Sequence, residues 1–213
     1  MARLTLVKPS SKPAARRPPS WAHQFLAVVS ESAPLIWRRI QVSHKATWWD
    51  LHVALQDAFA WEDRHLHEFD LGASKSGERQ RVGLPFEAED TIPGWERALT
   101  PDLEAGLQTC MYLYDFGDDW HVALVYEGRV FPEAPLKWSR CVAGACAAPL
   151  EDSGGIHGYY DTLAARTDRR HPMHQDARDW VPKGFDPAHF DPREVVVSDP
   201  RRRLKTLLAD VDH

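Results

Sequence analysis

TCMYLYDFGDDWHVALVYE, residues 109–127, is two strand-like runs joined by a four-residue turn. Residues 109–115 and 120–127 are dense in aromatic and β-branched side chains, which favour a pleated, half-buried surface. Phe116-Gly117-Asp118-Asp119 between them has turn chemistry. Its carboxylates accept from nearby N–H groups, and its glycine is available for positive φ. The stretch predicts a hairpin, and with it a sheet.

Working outward, residues 23–30 (HQFLAVVS) and 36–42 (IWRRIQV) read as a second hairpin, turned at Glu31-Ser-Ala-Pro34. Thr47 then reads as the N-cap of a helix with Asp50 in its first turn. Trp48, Leu51, Leu55, Ala58 and Phe59 recur at 3–4 spacing and form one apolar stripe. Residues 65–71 (HLHEFDL) predict a further strand, with His65, His67, Phe69 and Leu71 on one face. Residues 72–108, which include Glu87, Glu89 and Asp90, read as a long excursion with short elements. Residues 141–158 read as a loop of small residues. Short helices are expected at 159–165 and 171–180, a turn of helix over 188–190, and a terminal helix after Asp199-Pro200.

The fold class expected is α+β: an antiparallel or mixed sheet with a helix packed on one face, a β-grasp-like core and a helical C-terminal part. The organisation expected is a basic Pro-rich extension over 1–20, one domain over 21–198 and a C-terminal helix over 199–213. Nine tryptophans imply a core built around aromatic rings, some of which can instead line a partner groove.

Five basic residues, Arg3, Lys8, Lys12, Arg16 and Arg17, and no acidic ones fall in residues 1–20. That segment is +5, and the remainder, 21 basic against 31 acidic residues, is −10. An acidic body repels phosphate backbones, so contact with nucleic acid is confined to the basic tail and the expected partner is a protein. No apolar run approaches the roughly 20 residues that cross a bilayer, and no apolar signal core follows the first methionine. A cytoplasmic location with no membrane partner is expected. Cys110, Cys141 and Cys146 are too few and too unevenly placed for a disulfide framework. Without a second cysteine pair, Cys141 and Cys146 do not make a structural zinc site.

The polar residues that stand out are Arg38, Arg39, His65, His67, Asp115, Asp118, His121, Glu151 and Asp152. Asp115, Asp118 and Asp119 surround a turn and suit capping of its N–H groups. His65 and His67, two apart on a strand, would face the same side, a spacing that also suits a metal. Glu151 and Asp152 precede Gly154-Gly155 and can cap the next element or act as a base. Arg38 and Arg39 would face opposite sides, one paired to an internal carboxylate such as Asp115 or Glu151. Carboxylates beside glycines need N–H donors, an Arg or a cation to offset desolvation. The turn at 115–119 and the loop at 151–155 are therefore expected to lie together.

Four segments carry a family likeness: PLIWRRIQV (34–42), AFAWEDRHLHEF (58–69), YDFGDDWHVALVYE (114–127) and CVAGACAAPLEDSGGIHGYY (141–160). In this order and spacing the chain resembles the plasmid pRiA4b Orf-3-like family over roughly residues 21–195. The resemblance implies a protein carried by plasmids and insertion elements, some relatives being labelled TnpR-like, and no settled activity. The chain departs from the pattern where His121 directly follows Trp120, where Leu150 replaces a proline and where Ser153 replaces a cysteine.

Neither recombinase chemistry fits these residues. Ser30 and Ser32 precede Arg38 and Arg39 but lack a basic DNA-reading domain, and Tyr159 and Tyr160 precede the His171 region in the wrong order. No phosphate-binding loop and no G-x-S-x-G elbow occurs. The function expected is a non-catalytic interaction or accessory module with no cofactor. The alternative is a metal-dependent hydrolase or nuclease in which His65, His67, His121 and Asp118 hold a divalent metal.

Overall fold

The structure, a computed structural model, describes residues 20–74, 76–85 and 91–211. The basic extension at 1–19 and the acidic cluster Glu87, Glu89 and Asp90 lie outside the described residues. Among those described, eight strands form one sheet: β1 (Ala22–Val29), β2 (Trp37–Ser43), β3 (His67–Ala73), β4 (Arg79–Gly83), β5 (Thr91–Pro93), β6 (Thr109–Tyr114), β7 (Trp120–Val130) and β8 (Ser139–Ala145). Their order is β5-β4-β3-β6-β7-β1-β2-β8, and the sheet is open. Every pair is antiparallel except β4 with β5. The helices are α1 (Trp48–Phe59), α2 (Leu99–Glu104), α3 (Gly155–Thr167), α4 (His174–Trp180) and α5 (Pro200–Val211). The molecule is α+β, as its sequence implies. Hairpin β1–β2, α1 and a strand returning beside β1 make the β-grasp-like part, with that strand, β7, antiparallel to β1.

Strand alternation sets the layers. Phe25, Ala27 and Val29 of β1, Ile40 and Val42 of β2, Tyr112 and Tyr114 of β6, and Trp120, Val122 and Leu124 of β7 are buried on one face. Apart from the buried Gln41, the intervening residues are half-buried or exposed on the other. α1 lies on the buried face. Thr47 and Asp50 make a reciprocal capping box at its start, and Ala60 ends it in the left-handed region. Trp48, Leu51, Leu55, Ala58 and Phe59 all enter the core, together with Trp61.

The structure corrects three local expectations. Residues 139–145 are an edge strand on β2 rather than loop. The small residues there serve a close approach: a Cβ on Gly144 would stand 2.4 Å from Cε1 of Phe190, so only glycine lets that ring seat on the strand. β3 begins at His67, leaving His65 in the preceding connection. Positive φ at the 115–119 turn falls on Asp115 and Asp119, where the expectation was Gly117. The excursion over 72–108 contains β4, β5 and α2. Asp186-Pro187 starts a single turn, and Asp191-Pro192 caps a 3₁₀ turn over Pro192–Glu194. No helix among the described residues is long and apolar enough to cross a membrane.

Leu55 is fully buried between α1 and the sheet. Leu55→Ala is expected to cost about 2–5 kcal/mol in urea unfolding, the range for emptying a packed leucine site. A near-neutral result would mean that the α1 stripe does not carry the core.

Candidate functional site

The 115–119 turn and the 151–155 loop meet at one end of the sheet, as their paired carboxylates and glycines imply. Asp115 closes the turn by accepting the N–H groups of Gly117 (2.9 Å) and Asp118 (3.3 Å) on Oδ1. Asp118 reaches across and accepts the N–H of Gly154 at 3.0 Å. The backbones touch here: a Cβ on Gly155, which has φ +70°, would stand 2.4 Å from the carbonyl oxygen of Asp118.

Tyr114, at the end of β6, carries the junction into the core. Its ring is buried and stacks on Trp61 at 5.0 Å. Its hydroxyl donates to Glu151 and accepts the N–H of Arg64 at 3.1 Å. Burial and the facing Glu151 carboxylate raise the Tyr114 pKa above the ordinary phenol value, so the hydroxyl keeps its proton. Glu151 also accepts the N–H of Glu62 at 3.0 Å and faces Arg64 at 3.5 Å. Arg64 stands equally far from Asp152. His65 faces Asp152 at 3.2 Å and Asp115 at 3.5 Å.

Five of the expected polar residues thus gather: His65, Asp115, Asp118, Glu151 and Asp152. The other four are placed elsewhere. Arg38 is buried beneath the sheet end and donates to three backbone carbonyls, of Ala58, Trp37 and Ala145. Among the described residues it pairs with no carboxylate. Arg39 lies on the opposite face in a bidentate pair with Glu127. His121 is opposite Leu113 and faces away from the core, where it meets Asp119 at 2.9 Å. His67 points inward and stacks on His52, ring centroids 3.5 Å apart. The set His65, His67, His121 and Asp118 therefore does not converge. Alternation separates His121 from His67, and Asp118 is occupied by Gly154.

Sequence reasoning missed Arg64, Tyr114, His52 and Asp63. Asp63 accepts from His52 Nε2 at 2.7 Å, and the Tyr112 hydroxyl lies 2.8 Å from His52 Nδ1. The available signal for His52 was its position one turn from Trp48 on the apolar face of α1.

Two concavities flank Arg64. A cleft of about 730 Å³ is lined by Phe59, Trp61, Trp180, Phe190 and Val196 among others. A pocket of about 440 Å³ is lined by Trp49, Asp63, His65, His67, Asp115 and Phe116 among others. Arg64 lines both.

A family model described as plasmid pRiA4b ORF-3-like protein matches residues 22–194. An uncharacterized protein, y4hQ of Sinorhizobium fredii (strain NBRC 101917 / NGR234), is 31% identical over 153 residues, 69% of this chain and 74% of that protein. The crystal structure of a protein of unknown function, MM3350 from Methanosarcina mazei Go1, matches with a TM-score of 0.75 and 34% identity, covering 84% of this chain and 99% of that one. The chain belongs to the plasmid pRiA4b ORF-3-like family. These relatives are named as proteins without an assigned activity.

Gly155→Ala is expected to lower the unfolding midpoint, because its added methyl meets backbone rather than a movable side chain. An unchanged midpoint would mean that the two turns are not in contact. A second expectation concerns pH. Burial, with His52 beside it, holds the His67 pKa well below the ordinary imidazole value, and burial lowers that of His23 to about 4. Below about pH 6.5 the unfolded chain takes up protons that the folded chain refuses, so stability falls as pH drops. Urea midpoints are expected to decline from pH 7.5 to 5.5, and His67→Gln should flatten that decline. A flat or rising wild-type profile would contradict it.

Proposed function

We propose that this pRiA4b ORF-3-like chain is a non-catalytic interaction module, an accessory protein of plasmids or mobile elements, working in the cytoplasm. The observation that carries the reading is the cleft beside Arg64. Its walls are aromatic and aliphatic, and two of them, Trp180 and Val196, leave large apolar surface in water, Val196 being 81% exposed. Scattered apolar exposure is ordinary, whereas apolar residues converging on one concave surface favour a docked partner.

The partner that fits is a protein segment with an apolar or aromatic anchor flanked by basic residues. The cleft supplies the anchor site. Glu62, Glu151, Asp191 and Glu194 line it as well, and the body from residue 21 onward carries a net −10. That field attracts a basic segment and disfavours an acidic one. Most polar side chains around the cleft are already engaged: Asp57 with Ser198 and Arg203, Glu151 with Tyr114, Arg38 with carbonyls. Burial pushes the Cys110 thiol up to about 12 and raises that of Cys141, which supports a reading without a thiolate nucleophile.

Short fluorescent peptides with a central Trp, Phe or Leu and flanking Lys/Arg or Asp/Glu test this reading by anisotropy. The basic set should bind, weaken with added salt, and lose at least tenfold in affinity with Trp180→Ala or Val196→Asp. The peptides should be recovered intact. Preference for the acidic set, affinity unchanged in both variants, or cleavage of the bound peptide would each overturn it.

A further inference from the structure

At the edge of the neighbouring pocket lies an arrangement that the interaction reading does not use. Among the described residues His65 Nε2, shielded from water, has no hydrogen-bond partner. It looks instead into a gap bounded by Asp152 Oδ1 at 3.2 Å and Asp115 Oδ2 at 3.5 Å. One ligand atom from each of these three residues lies within 4.8 Å of the other two.

The two separations from His65 are close to those of ligands around an ion. Donors about 2.0–2.2 Å from zinc at tetrahedral angles stand roughly 3.3–3.6 Å from one another. The oxygens facing the gap are also the ones left over. Asp115 spends Oδ1 on the turn N–H groups, and Arg64 stands near Asp152 Oδ2. The Asp115 side chain is nine-tenths buried, so its second oxygen is placed by the fold. A second observation points the same way. His67, 1% exposed and also without a partner for its Nε2 among the described residues, lines the same pocket. Two unpartnered imidazole nitrogens on one wall are costly unless something polar enters.

We propose that His65, Asp115 and Asp152 bind a divalent transition-metal ion, with zinc the best match to one imidazole and two carboxylates. The ion bridges the 115–119 turn and the 151–155 loop, joining segments 37 residues apart in the chain through Asp115 and Asp152. The pocket lined by Trp49, Leu84 and Phe116 is its way in. Three protein ligands leave a further position for water. The proposal is independent of peptide binding at the cleft, and either can fail alone.

The test uses the full chain, stripped with a chelator, dialysed and titrated with zinc chloride and then manganese chloride by calorimetry. One zinc ion per chain should bind and raise Tm. His65→Gln and Asp152→Asn should each weaken binding at least tenfold, while His121→Gln, a histidine next to the same turn, should bind as wild type. Asn tolerates the left-handed backbone found at Asp152 (φ +58°), and that residue is exposed, so this variant keeps its fold. Absence of saturable binding near one ion per chain would overturn the proposal. So would undiminished affinity in Asp152→Asn, or loss of binding with Cys141→Ser or His52→Gln while Asp152→Asn still binds.

Discussion

The guanidinium of Arg38 is the group around which the rest of the molecule closes. It is 1% exposed. Nε donates to the carbonyl of Ala58 at 2.8 Å, and Nη1 donates to those of Trp37 at 2.8 Å and Ala145 at 3.0 Å. Phe190 covers the cation at 3.7 Å and Phe59 at 5.0 Å. One side chain thereby joins β2, the end of α1, the end of β8 and the C-terminal segment. The last carbonyls of a helix lack intrahelical donors and carry the negative end of its dipole. A cation there satisfies them without a carboxylate. Burial lowers the Arg38 pKa to about 10, which still leaves the charge in place at neutral pH.

Because Arg38 holds the end of α1, the chain that leaves the helix is directed to a defined place. Trp61 stacks on Phe59 and on Tyr114 and donates to the carbonyl of Pro149. Arg64 and His65 are thus delivered beside the carboxylates of the 115–119 and 151–155 turns. The cleft and the pocket are the two sides of this delivery, and Arg64 is the wall between them. Both candidate surfaces therefore depend on a core interaction that lines the cleft and stands apart from the pocket.

Much of this was legible in the chain. The aromatic and β-branched run over 120–127 marked a returning strand, and Thr47 with Asp50 marked the start of α1. The acidic turns could be paired in advance because carboxylates beside glycines demand partners. What was hidden depended on register. Nothing local in CVAGA says strand, since its small residues are small for the sake of Phe190, 46 positions after Gly144. The partner of Arg38 was misjudged because the sequence shows carboxylates as charges but does not show which carbonyls a helix end leaves open. Nothing local marks Arg64, whose role comes from the loop at 151–155 that lies against it.

The separation of His65 from His67 follows from the same hidden register. His67 pairs with Tyr114 across β3 and β6 and turns its ring onto His52, with the two planes 10° apart. His52, His67 and Asp63 also offer ligand atoms within 4.8 Å of one another. Their directions argue against an ion there. In-plane lone pairs on stacked rings run nearly parallel, so both cannot aim at one point without swinging a ring out of a packed core. Hydrogen bonds give His52 and Asp63 another purpose, while His67 packs against them by stacking. A carboxylate only accepts, so His52 Nε2 donates to Asp63, and Nδ1 is left to accept the Tyr112 hydroxyl proton. Gln56 Nε2 in turn donates to the Tyr112 oxygen, and Arg203 faces the second oxygen of Asp63 at 3.5 Å. Each donor in that chain has its acceptor, and it ties α1 to β6 and α5. The buried histidine pair is accordingly scaffold. Of the two histidine-carboxylate groups beside this pocket, only the one at His65 keeps a nitrogen and two oxygens turned toward a common gap.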